Sequence, residues 1–172
     1  YFQFVQQWPP TTCAVRNNPC YQNPPSIFTI HGLWPSNYSK YSWVVNCPGT
    51  LFSNSLSPRI ETKLKVSWPN VESGNDTDFW AREWNKHGTC SEHTLKQEQY
   101  FRRSHDIWKA YNITNILKNA QILPNGAKWD YSDIVSPIKI VTRKMPALRC
   151  KPDPTLPKNN SMSYQLLHEV VF

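Results

Sequence analysis

The sequence predicts an α+β fold, a sheet with helices segregated from it rather than a strict β-α-β alternation. Both ends alternate as strands: "YFQFVQQW" sets Phe2 and Phe4 on one side, and "SYQLLHEVVF" repeats the pattern at the far end. Between them the apolar spacing turns helical. Fifteen Pro and five Gly put many turns between short elements, so no long uninterrupted helix is expected.

The stretch "SIFTIHGLW" reads as a further strand, closed by Gly32 and Pro35. Alternation places Phe28 and Ile30 on one face and Thr29 and His31 on the other, so His31 points away from the apolar side. Residues 57–67 open with Ser-Pro and set Ile60 and Leu64 four apart, a helical spacing. In "DTDFWAREWNKHGTC" a short helix is expected, capped by Asp76, Thr77 or Asp78 and ended by Gly88. Residues 94–111 repeat Tyr100, Ser104, Ile107, Trp108 and Tyr111 at helical intervals. Neither an internal repeat nor a linker interrupts the chain, so residues 1–172 are expected to form a single domain.

Hydrophobic residues at 39% and aromatic ones at 13% suffice for a substantial core and exclude a disordered binding segment. The net charge of +7 divides into +2 over residues 1–90 and +5 over 91–172, which suits an anionic partner. No apolar run approaches the ~20 residues that span a bilayer, and no membrane partner is expected. The start lacks the features of a signal peptide, so the chain reads as already processed. Cysteines at 13, 20, 47, 90 and 150 show no C-x-x-C spacing and read as disulfides. Cys150 is the candidate for the odd thiol, since Cys13 and Cys20 can close a short loop around Pro19 while Cys47 and Cys90 flank the middle of the chain. Sequons at Asn37, Asn75, Asn112 and Asn159 fit a secreted glycoprotein.

The chemistry concentrates in two places. Taking Glu83 as zero on a helical projection, Phe79 falls near −40°, Lys86 near −60° and His87 near +40°, so the four share one face. His31 supplies a second imidazole. Two imidazoles, a carboxylate and a lysine are what metal-free RNA cleavage needs: a base for the 2′-hydroxyl, an acid for the leaving oxygen and donors for the charged phosphorane. A metal site built from His87, Cys90 and His93 lacks paired ligand spacing, so neither metal nor cofactor is expected. The alternative of another class is a secreted, catalytically silent binding protein.

"FTIHGLWP" at 28–35 and "FWAREWNKHGTC" at 79–90 resemble the two active-site segments of the RNase T2 family. The likeness runs from "FVQQWPP" through "SWPNVESGNDT" to "LLHEVVF", nearly the whole chain. It implies an antiparallel sheet with several helices, His31 and His87 as the acid–base pair, and Glu83 and Lys86 as supports of the transition state. It further implies that Trp34 lies beside a base or sugar rather than in the core, with Phe79 as a second stacking platform. Gln7 and Asn70 would hydrogen-bond a base, and Glu72 would bear on the preference. Within the family the chain is most similar to the pistil S-ribonucleases of self-incompatible plants of the rose family. That implies a monomer secreted in the style and taken up by pollen tubes, acting on single-stranded RNA but not DNA, with a pollen F-box protein as partner. A defence or phosphate-scavenging enzyme of the same family is the nearer alternative. Allele specificity is expected on the loop-rich regions Asn37 to Asn46 and Arg143 to Asn159.

Two departures stand out. Arg82 occupies the place of a histidine found in many members, where it can hold a phosphate but not shuttle a proton. The family pattern also continues past Phe172 with further cysteines, one of which would pair with Cys150, so a disulfide-tied tail is expected to be missing from this sequence.

Overall fold

The computed structural model describes residues 1–38, 44–156 and 164–172; the sequon asparagine Asn159 and parts of both loop regions lie outside them. The described strands, β1 (Phe2–Gln7), β2 (Thr29–Pro35), β3 (Ala147–Pro152) and β4 (Gln165–Val171), run in the order β2-β1-β4-β3. Among the described residues six α-helices accompany them: α1 (Pro9–Ala14), α2 (Pro58–Ser67), α3 (Asp76–Lys86), α4 (Gln97–Ala110), α5 (Ile113–Asn119) and α6 (Tyr131–Thr142). Helices segregated from an antiparallel sheet make the chain an α+β protein.

The chain divides into two compact units. The first comprises Tyr1–Val5, Thr29–Asn70 and Gly74–Ala110. Its core is aromatic: Trp68, Trp80, Trp84, Tyr100 and Phe101 are all fully buried, beside Ile30, Leu33 and Leu64. Burying indoles and a phenol requires partners for their polar atoms. Trp80 Nε1 donates to Trp68 O at 2.8 Å, Trp84 Nε1 to Thr50 O at 2.8 Å, and the Tyr100 hydroxyl to Leu33 O at 2.8 Å. The hydroxyl of Tyr100 therefore ties α4 to β2, two residues from His31. β2 is covered on both faces, with Thr29 as buried as Ile30, so the expected half-apolar alternation does not hold. His31 is the partly exposed residue in a run that is otherwise buried from Phe28 to Trp34.

The second unit comprises Gln6–Phe28, Val71–Ser73 and Tyr111–Phe172. Phe28, Ile113, Leu117, Ile138 and Val170 form its core, with Trp8, Leu148 and Phe172 packed against it. β3 and β4 pair antiparallel, with an irregularity between Arg149 and Cys150. Cys13 and Cys20 are joined by a disulfide in this unit, and Cys47 and Cys90 by another in the first. Cys150 is free and exposed.

Helix starts differ from expectation. α3 is capped by Asn75, whose Oδ1 accepts from the Asp78 N–H at 3.2 Å, rather than by Asp76, Thr77 or Asp78. Asp76 instead accepts from the Asn70 N–H at 2.6 Å, tying the preceding turn to the helix. The helix ends at Lys86, with His87 as its C-cap and Gly88 directly after it, where a 3₁₀ turn over Gly88–Ser91 begins, as the expected stop at Gly88 requires.

Candidate active site

Strand β2 and helix α3 of the first unit bring the predicted chemical groups together. Glu83 faces inward on α3 and is 6% exposed, so its carboxylate needs partners. Trp34 Nε1 donates to Glu83 Oε2 at 3.0 Å, and His31 Nε2 lies 3.9 Å from Glu83 Oε1. Burial pushes the Glu83 carboxyl above the usual carboxylate range, opposed by the charge of His31, the Trp34 hydrogen bond, Lys86 and Arg82.

The indole does a second job. Its ring stacks on His87 at 5.0 Å between centroids and 23° between planes, while the His31 ring meets it edge-on at 5.2 Å and 80°. Trp34 thus stands between the two imidazoles and contacts both, with its N–H on the carboxylate. His87 is 4% exposed, and its buried Nδ1 has no hydrogen-bond partner among the described residues. Burial, with Lys86 and His31 adding to it, lowers its pKa to about 4. At neutral pH this imidazole is uncharged, the form that accepts a proton.

Local chemistry explains why the chain delivers these groups here. A Cβ on Gly32 would overlap Trp34 Nε1 and Glu83 Oε2, so glycine in "HGLW" leaves the space in which the indole reaches the carboxylate. A Cβ on Gly88 would run into the Trp84 ring, which explains the glycine directly after His87. The C-terminal end of α3 is pinned from several sides. The Asn46 N–H donates to Lys86 O at 2.7 Å, the Phe52 N–H to Asn85 Oδ1 at 2.8 Å, and the Cys47–Cys90 disulfide lies three residues beyond His87. Cys90 is thereby occupied.

A profile of the Ribonuclease T2 family matches residues 1–171. The chain belongs to the ribonuclease T2 family. It is 37% identical to the structure of ribonuclease MC1 from bitter gourd seeds, covering 99% of this chain and 86% of that one at a TM-score of 0.87. Japanese pear S3-RNase is 32% identical over 99% of this chain and 83% of its own, at a TM-score of 0.86. Extracellular ribonuclease LE of Solanum lycopersicum is 34% identical over 96% of this chain and 74% of its own length. The chain is thus a T2-type ribonuclease, with kinship to S-RNases.

In this ribonuclease the remaining predicted residues fall in different places. Phe79 is half-buried, its ring 6.0 Å from that of His31, and the Arg82 guanidinium stands over it at 5.8 Å from the ring centre. Lys86 and Arg82 are exposed. Trp34, expected beside a base or sugar rather than in the core, is only 8% exposed, because its ring and N–H are spent on His87 and Glu83. Asn70 is buried, and its Nδ2 donates to Asn75 O at 2.9 Å. Gln7 and Glu72 belong to the second unit, where Gln7 is buried and Glu72 pairs with Arg16. Asn75 and Asn112 each cap a helix through Oδ1, and Asn37 is exposed. Gly32 and the positioning role of Trp34 escape sequence reasoning, although a glycine beside the histidine was a visible signal of close approach.

Proposed function

We propose that this ribonuclease cleaves single-stranded RNA by transesterification, the 2′-hydroxyl attacking the adjacent phosphorus to give a 2′,3′-cyclic phosphate and a free 5′-hydroxyl. Slower hydrolysis then gives the 3′-phosphate. His87, uncharged at neutral pH, takes the 2′-hydroxyl proton; His31 protonates the leaving 5′-oxygen; the roles exchange for hydrolysis. Glu83 pairs with His31 when the ring is protonated, and the exposed Lys86 ammonium supports the charged phosphorane. Arg82 serves as a phosphate contact. DNA lacks the nucleophile and is spared. The observation that carries this reading is the assembly of both imidazoles and the carboxylate around one indole. Phe79 is the stacking platform for a base, with Asn70 as a further contact.

A pH–rate profile tests it. A base with its pKa lowered to about 4 stays deprotonated well into mild acid, so the acid limb of kcat/KM on a ribodinucleotide is expected near pH 4. A limb at the ordinary imidazole value of 6.5 or above removes His87 as the base.

The finer role rests on the kinship with pear S3-RNase and on the sequons. The enzyme acts as a monomeric self-incompatibility ribonuclease secreted in the style, glycosylated at its sequons, and taken up by pollen tubes, where a pollen F-box protein is its partner. Transcript is expected in styles; abundance in leaf or root with none in style contradicts this role and leaves the chemistry standing.

A further inference from the structure

The last turn of α6 and the corner after it, in the second unit, carry exposed aliphatic and cationic side chains that are not among the catalytic groups. Ile140, Val141 and Met145 are 65%, 47% and 62% exposed, and the exposed cations Lys139, Arg143 and Lys144 lie beside them in the chain. Ile138 and Thr142 face the core, which turns Ile140 to the opposite side of the helix. The corner is built rather than frayed. Thr142 Oγ1 donates to Ile138 O at 2.8 Å and accepts from the Lys144 N–H at 3.2 Å. Arg143 sits at φ 59°, a left-handed position where glycine is the relaxed choice, yet an arginine is held there.

Cations at a helix C-terminus are favoured by the helix dipole, which accounts for the charge. It does not account for three aliphatic side chains held in water beside them. No Asp or Glu occurs between residues 134 and 152, and Lys139, Arg143 and Lys144 make no ion pair among the described residues. The acids around the corner do not cancel it. Asp133 shares the face of Ile140 but lies about two helical turns away, and Glu169 is buried against Arg149. One exposed aromatic reaches the corner, Tyr131, whose hydroxyl donates to Pro146 O at 3.5 Å. A lone tyrosine with a polar tip beside aliphatic side chains and cations matches the headgroup boundary of an anionic bilayer, whereas single-stranded nucleic acid is bound by cations with successive aromatic platforms.

We infer that this corner docks the ribonuclease on anionic phospholipid surfaces, with Ile140, Val141 and Met145 entering the headgroup layer and Lys139, Arg143 and Lys144 meeting lipid phosphates. The attachment is peripheral, since no helix among the described residues is long and apolar enough to cross a membrane. It departs from the expectation of no membrane partner, which rested on the want of a spanning segment.

Co-sedimentation of the full chain with vesicles of phosphatidylcholine, alone or mixed with phosphatidylserine, tests this at low and physiological salt. Binding is expected on the mixed vesicles and not on phosphatidylcholine alone. Lys139→Gln with Lys144→Gln should weaken it about thirtyfold, and Ile140→Ser with Met145→Ser about tenfold. Both double variants should cleave RNA at the wild-type rate, and His87→Ala should bind vesicles as the wild type does. Unchanged vesicle binding in the aliphatic variant overturns the inference, because adhesion would then be charge alone. Loss of affinity for a 2′-O-methyl RNA strand in both variants, with no vesicle binding by the wild type, overturns it in favour of nucleic acid.

Discussion

Alanine at His87 or at His31 is expected to lower kcat/KM on single-stranded RNA by about 10²–10⁴-fold, the usual worth of a positioned acid or base. The loss should fall on kcat more than on KM, since each imidazole acts on a proton that moves in the transition state. The two variants should differ in stability. His87 is buried and stacked on Trp34, so its removal empties space against the indole, whereas His31 is partly exposed and gives up less packing. His31→Ala is therefore the cleaner test of chemistry, and thermal melting of His87→Ala separates lost catalysis from lost fold. Losses below tenfold in both variants would remove the pair from the mechanism.

Gly32→Ala is expected to damage the site without touching a reacting group. The added methyl would overlap Trp34 Nε1 and Glu83 Oε2, so the hydrogen bond between them must open or β2 must shift. Overpacking of this kind costs about 1–3 kcal/mol, and a buried carboxylate short of one donor costs about as much again. A fall in Tm of roughly 5–20 °C follows for a chain of this size. Activity should drop about 10²-fold, because Trp34 also sets the ring of His87. A Gly32→Ala enzyme with wild-type Tm and rate would show that the Trp34–Glu83 bond does not organise the site.

The legible parts of this chain were those whose local pattern and tertiary environment agree. α2 and α4 follow residues at helical spacing, and the structure buries Ile60 with Leu64 and Tyr100 with Ser104, while Ile107, Trp108 and Tyr111 are half-buried. The site was legible for a related reason: Glu83 and His87 lie one helical turn apart, so a projection places them on one face whatever surrounds them. It did not reveal depth, and Lys86 on the same arc is exposed while Glu83 and His87 are buried.

The unread elements carry mixed signals. α6 is rich in β-branched residues and holds Pro137, which argue against a helix. Its start is fixed by Asp133, whose Oδ2 accepts from the Asp130 N–H at 3.2 Å, and its place by Val135 and Ile138 in the core. β3 alternates nowhere and is mostly exposed, so only its pairing with β4 makes it a strand. The Trp34 role was hidden because a tryptophan in a catalytic motif suits stacking on a base as well as it suits holding a carboxylate. Only the distance to Glu83 decides between them.

The most direct test of the central claim is the product formed from a ribodinucleotide in the presence of EDTA, followed by ³¹P NMR beside the same dinucleotide carrying a 2′-deoxyribose. The account predicts a 2′,3′-cyclic phosphate appearing first and a 3′-phosphate later, with the deoxy substrate untouched. Direct formation of a 5′-phosphate, cleavage of the deoxy dinucleotide, or complete loss of activity in EDTA would contradict it.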